Sequence, residues 1–140
     1  MNKHLFMSFK IRPVKELYYK VFIYKTKEAM QEHEKFIWER FNPEKKYTPA
    51  LACCWSYYSR EKKFKNKLGD ILFHKGCLGS GGYIVAHEIA HAAVYAAPRL
   101  GIKINKLLSD PNHDEAFAKV TGQMNRQFWH YFYRKGGNSE

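Results

Sequence analysis

A pair of histidines four residues apart, with a glutamate directly after the first, is the pattern in this sequence best suited to chemistry. The pentad His87-Glu88-Ile89-Ala90-His91 lies inside an apolar, alanine-rich run that spans residues 82 to 97. Such a run is typical of a buried helix. On a helix, residues four apart lie on the same face, so His87 and His91 can bind one cation together. Glu88 points along the rim of that face, where it can reach a water on the metal without being a ligand.

Two imidazoles, an adjacent carboxylate and an open coordination position are the elements of a zinc hydrolase site. The residues on both sides of the pentad are apolar, which argues against a solvated helix face. Burying imidazoles and a carboxylate without partners is costly, and a metal ion is a common partner. We therefore predict a Zn²⁺ cofactor bound by His87 and His91, with Glu88 as the general base and acid of peptide hydrolysis.

A hydrolytic zinc site needs a third protein ligand, because three side chains and one water complete the tetrahedron. His113 follows His91 at a distance that lets the chain fold back across the first helix. Asp114 and Glu115 are the competing candidates. With His113 as the ligand, these two acids would orient its imidazole.

Hydropathy patterns predict the elements that position these residues. Strands are expected over residues 4–12, 16–25, 49–59 and 69–75, and helices over 27–41, 82–97 and about 112–134. Thr26 is predicted to cap the first helix, Ser80 the second, and Asp110 or Asn112 the third. Pro13, Pro98 and Gly136 are predicted to end a strand and two helices.

The remaining histidines and cysteines are interpreted as packing residues. His33 lies on or near the apolar stripe of the first helix, and Cys53 and Cys54 would face opposite sides of a strand. Cys77 is expected to be a small buried thiol. Three cysteines without a C-x-x-C motif form neither a disulfide framework nor a second zinc module, which favours a reducing, cytoplasmic setting.

The two motifs resemble those of the SprT-like family of zinc metallopeptidases, which includes the Spartan proteases. The matching segments are His87-Glu88-x-x-His91 with Ala92, and His113-x-x-x-Phe117, which is similar to the family's H-G-x-x-F segment. The resemblance covers about residues 50 to 130. It implies that His87, His91 and His113 bind zinc, that Glu88 is the catalytic acid/base, and that the protein works near DNA. It also implies that residues 69 to 75 are an edge strand along which a peptide substrate lies antiparallel.

Two features depart from that family. Asp114 stands where a glycine is expected, and the cysteine-rich zinc ribbon of many members is absent from the sequence. Repressor-cleaving zinc peptidases found near phage genes are a close rival, because they use a glutamate followed by a phenylalanine-alanine pair. Glu115 and Phe117-Ala118 are similar to that pattern.

We expect a single α+β domain of minimal zincin type over residues 1–136, followed by a disordered tail over 137–140. A small, mainly antiparallel sheet would pack on the helices, with the C-terminal helix carrying the third ligand. Tyr83, Tyr95 and Arg99 are candidate donors to the oxyanion of the tetrahedral intermediate.

The net charge of +11 on 140 residues predicts an anionic partner, most often nucleic acid. The basic stretch from Arg60 to Lys67 is a candidate phosphate contact. No run of apolar residues is long enough to span a membrane.

Because of this positive charge, the alternative function is a basic nucleic-acid-binding module in which zinc is structural and no peptide is cut. A structural site would be closed by a fourth side chain such as Cys77, His74 or Asp114.

Overall fold

The computed structural model of the protein describes residues 4–50, 52–56, 66–79 and 82–137. It is an α+β structure with one four-stranded mixed sheet and three helices. The strands and helices are β1 (Leu5–Val14), β2 (Leu17–Tyr24), α1 (Lys27–Phe41), β3 (Cys53–Ser56), β4 (Lys67–His74), α2 (Tyr83–Ala96) and α3 (Pro111–Gly137). Helix α1 packs on one face of the sheet, and α2 and α3 pack on the other, where the larger core lies.

The hairpin of β1 and β2 follows directly from alternating side chains. Met7, Phe9 and Ile11 are buried in the larger core, whereas Lys10 between them is exposed on the opposite face. Pro13 was predicted to end this strand, but β1 continues to Val14. The pairing shifts register between Ile11 and Val14, at the edge of the sheet, where a residue without an N–H is tolerated.

Strand β4 lies inside the sheet, which has the order β1-β2-β4-β3. It pairs in parallel with β2 and antiparallel with β3, so the sheet has two antiparallel pairings and one parallel pairing. Six consecutive residues of β4, from Leu68 to Phe73, are buried, as expected of an interior strand. The prediction that residues 69–75 form an edge strand is therefore wrong, because both hydrogen-bonding edges of β4 are already occupied. The edge beside β4 is β3, whose residues 53–56 also lie against α2.

Helix α1 has the bounds predicted from the sequence. The hydroxyl Oγ1 of Thr26 accepts a hydrogen bond from the amide N–H of Ala29 at 3.2 Å, which confirms the predicted cap. Met30 and Ile37 are buried against the sheet. The helix ends at Asn42, whose N–H donates to the carbonyl of Trp38.

Helix α2 buries an apolar stripe of Val85, Ile89, Ala92 and Ala96 in the larger core. It starts after Gly82, whose φ of +84° is a left-handed conformation that favours glycine. A Cβ at this position would also lie 3.3 Å from the ring of Trp129 on α3. The α-helix gives way at Ala97–Leu100 to a 3₁₀ turn that contains Pro98. The predicted cap Ser80 lies outside the described residues.

Helix α3 closes the larger core. The carboxylate Oδ1 of Asp110 accepts a hydrogen bond from the N–H of Asn112 at 2.9 Å, which confirms Asp110 as the predicted capping residue. Val120, Met124 and Phe128 are buried. The helix runs through Gly137, because a glycine at position 136 lowers helix stability without forcing an end.

Some predictions fall outside this description. Residues 138–140 of the expected tail and residues 60–65 of the basic stretch lie outside the described residues. The prediction of a single domain over residues 1–136 stays a prediction. Within the described ranges, no helix combines the length and apolar character that crossing a bilayer requires.

Candidate metal centre

The two histidines and the glutamate of α2 lie on different sides of the helix. His87 and His91 are exposed, with the His87 side chain 53 % accessible, whereas Glu88 is 6 % accessible. The apolar stripe of α2 faces the sheet and α3, so the imidazoles on its other side face solvent. The expectation that the apolar flanks of the pentad exclude a solvated face is therefore wrong for the two histidines. The helix thus presents two nitrogen ligands outward, with a carboxylate held beneath them.

The distances between these side chains fit a tetrahedral metal site. The Nε2 atoms of His87 and His91 are 3.3 Å apart, and Nε2 of His87 lies 3.8 Å from Oε2 of Glu88. Two nitrogens bound to one tetrahedral Zn²⁺ at bond lengths of roughly 2.0–2.1 Å would be about 3.3–3.4 Å apart. Among the described residues, His87, Glu88 and His91 form the group of potential ligands whose donor atoms all lie within 4.8 Å of one another. This group can therefore hold a metal ion.

Glu88 is placed to hold and release a proton. Burial raises the pKa of its carboxyl group, and the nearby Glu34 carboxylate raises it further, while His87 and His91 lower it. Glu34 is itself buried in α1, where it accepts hydrogen bonds from the hydroxyl of Tyr47 and the N–H of Ala50. A general base works best when its pKa approaches the operating pH, and burial shifts Glu88 in that direction.

Aromatic rings flank the two imidazoles along the exposed face of α2. Tyr83 lies one turn before His87 and Tyr95 one turn after His91, each with its ring centroid 6.2 Å from that of the adjacent imidazole. Both phenols are exposed, Tyr83 at 71 % and Tyr95 at 52 %. Either hydroxyl is therefore accessible to a molecule bound at the histidines.

His113 occupies the first turn of α3 and is not part of the compact His87–Glu88–His91 group. Its Nδ1 accepts a hydrogen bond from the backbone N–H of Lys103 at 3.0 Å, and its Nε2 lies 3.8 Å from Oδ2 of Asp110. The Lys103 bond fixes the neutral tautomer that carries its hydrogen on Nε2, so Nε2 can bind a metal only if this bond breaks and the hydrogen moves to Nδ1. The contact with Lys103 has no signature in the sequence, because it joins a loop to a helix.

The proposed fourth ligands lie elsewhere. The thiol of Cys77 donates to the carbonyl of His74 at 3.0 Å, and burial raises the pKa of that thiol. His74 is the register partner of Tyr24, which packs on the α1 side of the sheet. Burial lowers the pKa of His74, and Lys27 lowers it further. Within the described ranges, neither residue nor Asp114 joins the group around His87 and His91.

His33 is a packing residue, as predicted. Its Nδ1 lies 2.6 Å from the hydroxyl of Tyr24, and its ring makes an edge contact with Phe22 at 4.8 Å between centroids. Burial lowers the pKa of His33 and raises that of Tyr24 to about 12, so the pair is held as a neutral imidazole beside a neutral phenol.

Comparisons with protein-family models, with curated proteins and with solved structures each find no match to this chain. The likeness to the SprT-like peptidases therefore rests on the motif residues themselves.

Proposed function

We propose that this protein is a zinc-dependent metallopeptidase of minimal zincin type. The observation that carries the proposal is the 3.3 Å separation of the Nε2 atoms of His87 and His91, above a buried carboxylate 3.8 Å from His87. That spacing matches one shared tetrahedral ion, and the solvent-facing side of the pair leaves room for a substrate.

His87 and His91 hold the zinc ion in this proposal, and His113 supplies the third nitrogen after it releases the N–H of Lys103 and its ring moves to the ion. When bound, zinc acts as a Lewis acid that polarises the scissile carbonyl and makes water nucleophilic. The Glu88 carboxylate takes the proton of the attacking water and returns it to the nitrogen of the leaving amine. The hydroxyl of Tyr83 or Tyr95 donates to the carbonyl oxygen as negative charge develops there.

The substrate is a protein or peptide in extended form. Strand β3 is the edge of the sheet next to α2, so a peptide that pairs with residues 53–56 would lie close to the two histidines. The net charge of +11 favours substrates that are themselves bound to DNA. Cys54 and Cys77 are thiols outside any disulfide, which suits a reducing, cytoplasmic compartment.

The alternative, a structural zinc in a binding module that cuts nothing, is less well supported. Closed structural sites use four protein ligands, whereas the described residues supply no fourth side chain to this group. The exposure of both imidazoles also differs from the buried setting of a closed site.

The test is a pair of measurements on the zinc-loaded protein and its Glu88→Gln variant, with unfolded casein as the substrate. We expect the wild type to cleave casein and the variant to bind zinc equally well but cleave it about 10²–10⁴-fold more slowly, because the amide cannot accept the proton. Zinc content is measured by atomic absorption and the ligand set by X-ray absorption at the zinc edge.

Glu28→Gln is the matched control, since it makes the same chemical change at an exposed position in the first turn of α1. It should leave both cleavage and zinc content unchanged. Equal cleavage by the wild type and Glu88→Gln would exclude Glu88 as the base. A zinc site with four protein ligands would favour the binding module.

A further inference from the structure

Helix α2 has an exposed side without acidic or basic residues other than its two histidines. Around His87 and His91, the exposed residues of this fully described helix are Tyr83, Ala86, Ala90, Val94 and Tyr95. Glu88, which supplies the carboxylate of the helix, is buried. We call the surface formed by these exposed residues and the two histidines the α2 face.

The exposed sides of the other two helices are charged. Helix α1 exposes Glu32, Lys35 and Glu39, and α3 exposes Lys119 and Arg126. Charged and polar residues are normal on the solvent side of a helix, whereas a contiguous apolar surface there marks a binding site. The chain has a net charge of +11, so a helix side without lysine or arginine is unusual in this molecule.

The apolar groups of the α2 face adjoin the metal centre on both sides. The ring centroids of Tyr83 and Tyr95 are each 6.2 Å from that of the adjacent imidazole, and both rings are more than half exposed. A peptide whose carbonyl group reaches the two histidines must therefore cover part of this surface. The side chains next to that carbonyl group would contact a tyrosine ring, an alanine or Val94.

The composition of the α2 face favours one class of peptide. Covering apolar surface with apolar side chains stabilises a complex by about 25 cal/mol for each Å² removed from water. A charged side chain at the same place would lose hydration, and α2 offers no exposed carboxylate, lysine or arginine to compensate for that loss.

We propose that the α2 face selects apolar, aromatic-containing segments of unfolded chains and presents them to the metal centre. Such segments are mostly buried in folded proteins, so they become accessible when a chain is unfolded. The inference rests on the proposed function, because it identifies the substrates of the same centre.

The test measures peptide binding to the zinc-loaded Glu88→Gln chain, which should hold a peptide without cleaving it. The probe is a fluorescein-labelled peptide of sequence Ser-Gly-Phe-Leu-Ala-Phe-Gly-Ser, compared with versions that carry glycine, lysine or aspartate in place of both phenylalanines. Fluorescence anisotropy is recorded in about 0.5 M salt, where attraction between exposed charges is largely screened. We expect the phenylalanine peptide to bind about tenfold or more tightly than each of the other three.

A substitution in an exposed ring tests whether the α2 face is the binding surface. Added to Glu88→Gln, Tyr95→Ser should weaken binding of the phenylalanine peptide about fivefold or more, because it removes apolar contact area. Phe36→Ser is the matched control, since it removes a ring that is 68 % exposed on α1, across the sheet from α2. It should leave the affinity unchanged.

A charge placed in the α2 face tests the same surface without removing a ring. Val94→Lys should also weaken binding of the phenylalanine peptide about fivefold or more, because the ammonium group loses water when the peptide covers it. Val14→Lys makes the same change at the end of β1, where the valine is 38 % exposed against 42 % for Val94, and should have no effect. Thermal unfolding by circular dichroism checks the fold of all four variants.

Three results would overturn the inference. They are undetectable binding of the phenylalanine peptide, affinity for the glycine or aspartate peptide equal to or tighter than that for the phenylalanine peptide, and equal weakening by Tyr95→Ser and Phe36→Ser. Casein cleavage by the wild type together with any of these results would contradict the inference alone. The expected preference without casein cleavage would support the α2 face as a binding surface and contradict the proposed hydrolysis alone.

Discussion

Two pairs of polar rings in this protein differ in their burial and in the atoms that face each other. The pair of His33 and Tyr24 lies between α1 and β2, where the phenol hydroxyl meets Nδ1 of the imidazole at 2.6 Å and burial keeps both groups neutral. The pair of His87 and His91 lies on the exposed face of α2, where two Nε2 atoms face each other at 3.3 Å. The first pair has a donor and an acceptor. In the second, the two Nε2 atoms are within hydrogen-bonding distance, so one can donate to the other, and both can instead be ligands to one cation.

This difference teaches how to recognise a histidine that is available for chemistry. A histidine with a matched partner and aromatic neighbours contributes to packing, since its hydrogen-bonding capacity is already used. Two exposed imidazoles that converge beside a buried carboxylate can form a hydrogen bond with each other or bind one metal ion together. The predictions that follow test whether the two pairs are as different as their geometry indicates.

Replacing His91 should have the largest effect. His91→Ala removes a ligand and should weaken zinc binding by more than about a hundredfold, since even residues that only orient ligands contribute about 10–100-fold. His33→Asn, the matched change in the packed pair, should leave zinc binding unchanged. Competition with a fluorescent chelator measures both affinities. Equal zinc affinity in the wild type and His91→Ala would mean that the exposed pair is not the metal site.

A variant of His113 tests whether the metal site formed by His87 and His91 includes a ligand from α3. His113→Ala, which removes a ligand, should also lower zinc affinity by about a hundredfold or more, with His130→Ala, at an exposed position on α3, as the control that should retain it. The measurement is again chelator competition, supported by zinc-edge spectroscopy that counts imidazole ligands. A drop in Asp114→Asn or a Glu115→Gln variant, with none in His113→Ala, would move the third ligand to a carboxylate.

In the pair of His33 and Tyr24, we expect a substitution to change the free energy of unfolding and to leave metal binding unchanged. Tyr24→Phe leaves Nδ1 of the partly buried His33 without its hydrogen-bond partner, which should lower the free energy of unfolding by about 1–3 kcal/mol. Tyr133→Phe makes the same change at a side chain that is 68 % exposed and should have little effect. Urea unfolding measures both, and equal stability of the two variants would show that the Tyr24 hydrogen bond does not stabilise the fold.

The smallest effect is on the pH dependence of stability. Because burial lowers the pKa of His33 in the folded protein below the usual 6.5, the unfolded chain binds more protons in acid. The contribution of His33 is therefore complete above about pH 6.5 and is lost as the pH falls toward the folded pKa. His33→Asn should reduce the loss of stability between pH 7.5 and pH 5 (about the range over which histidine titrates). His130→Asn, at an exposed position on α3, is the control, and an unchanged pH profile in His33→Asn would contradict this account.

Local patterns predicted most of the elements. Helix α1 has its predicted bounds because the Thr26 cap and the Asn42-Pro43 end are both local signals. Val120, Met124 and Phe128 recur at helical spacing in α3, and all three are buried, as that spacing indicates. The error at residues 69–75 concerns pairing: the family resemblance implied an edge strand, and the residues of the segment do not tell whether neighbouring strands occupy one edge or both.

The sequence by itself determined that His87 and His91 share one side of a helix and that Glu88 follows His87. Residues four apart on a helix lie on the same face whatever surrounds the helix. It also set the excess of positive charge. Only the tertiary structure decided that Glu88 is buried while the two imidazoles are exposed, since that depends on which side of α2 meets the sheet. The structure likewise decided that Lys10 stands opposite Lys20 and that the N–H of Lys103 meets His113. These contacts join residues brought together by chain reversal, and no local pattern encodes the register or the loop path that creates them.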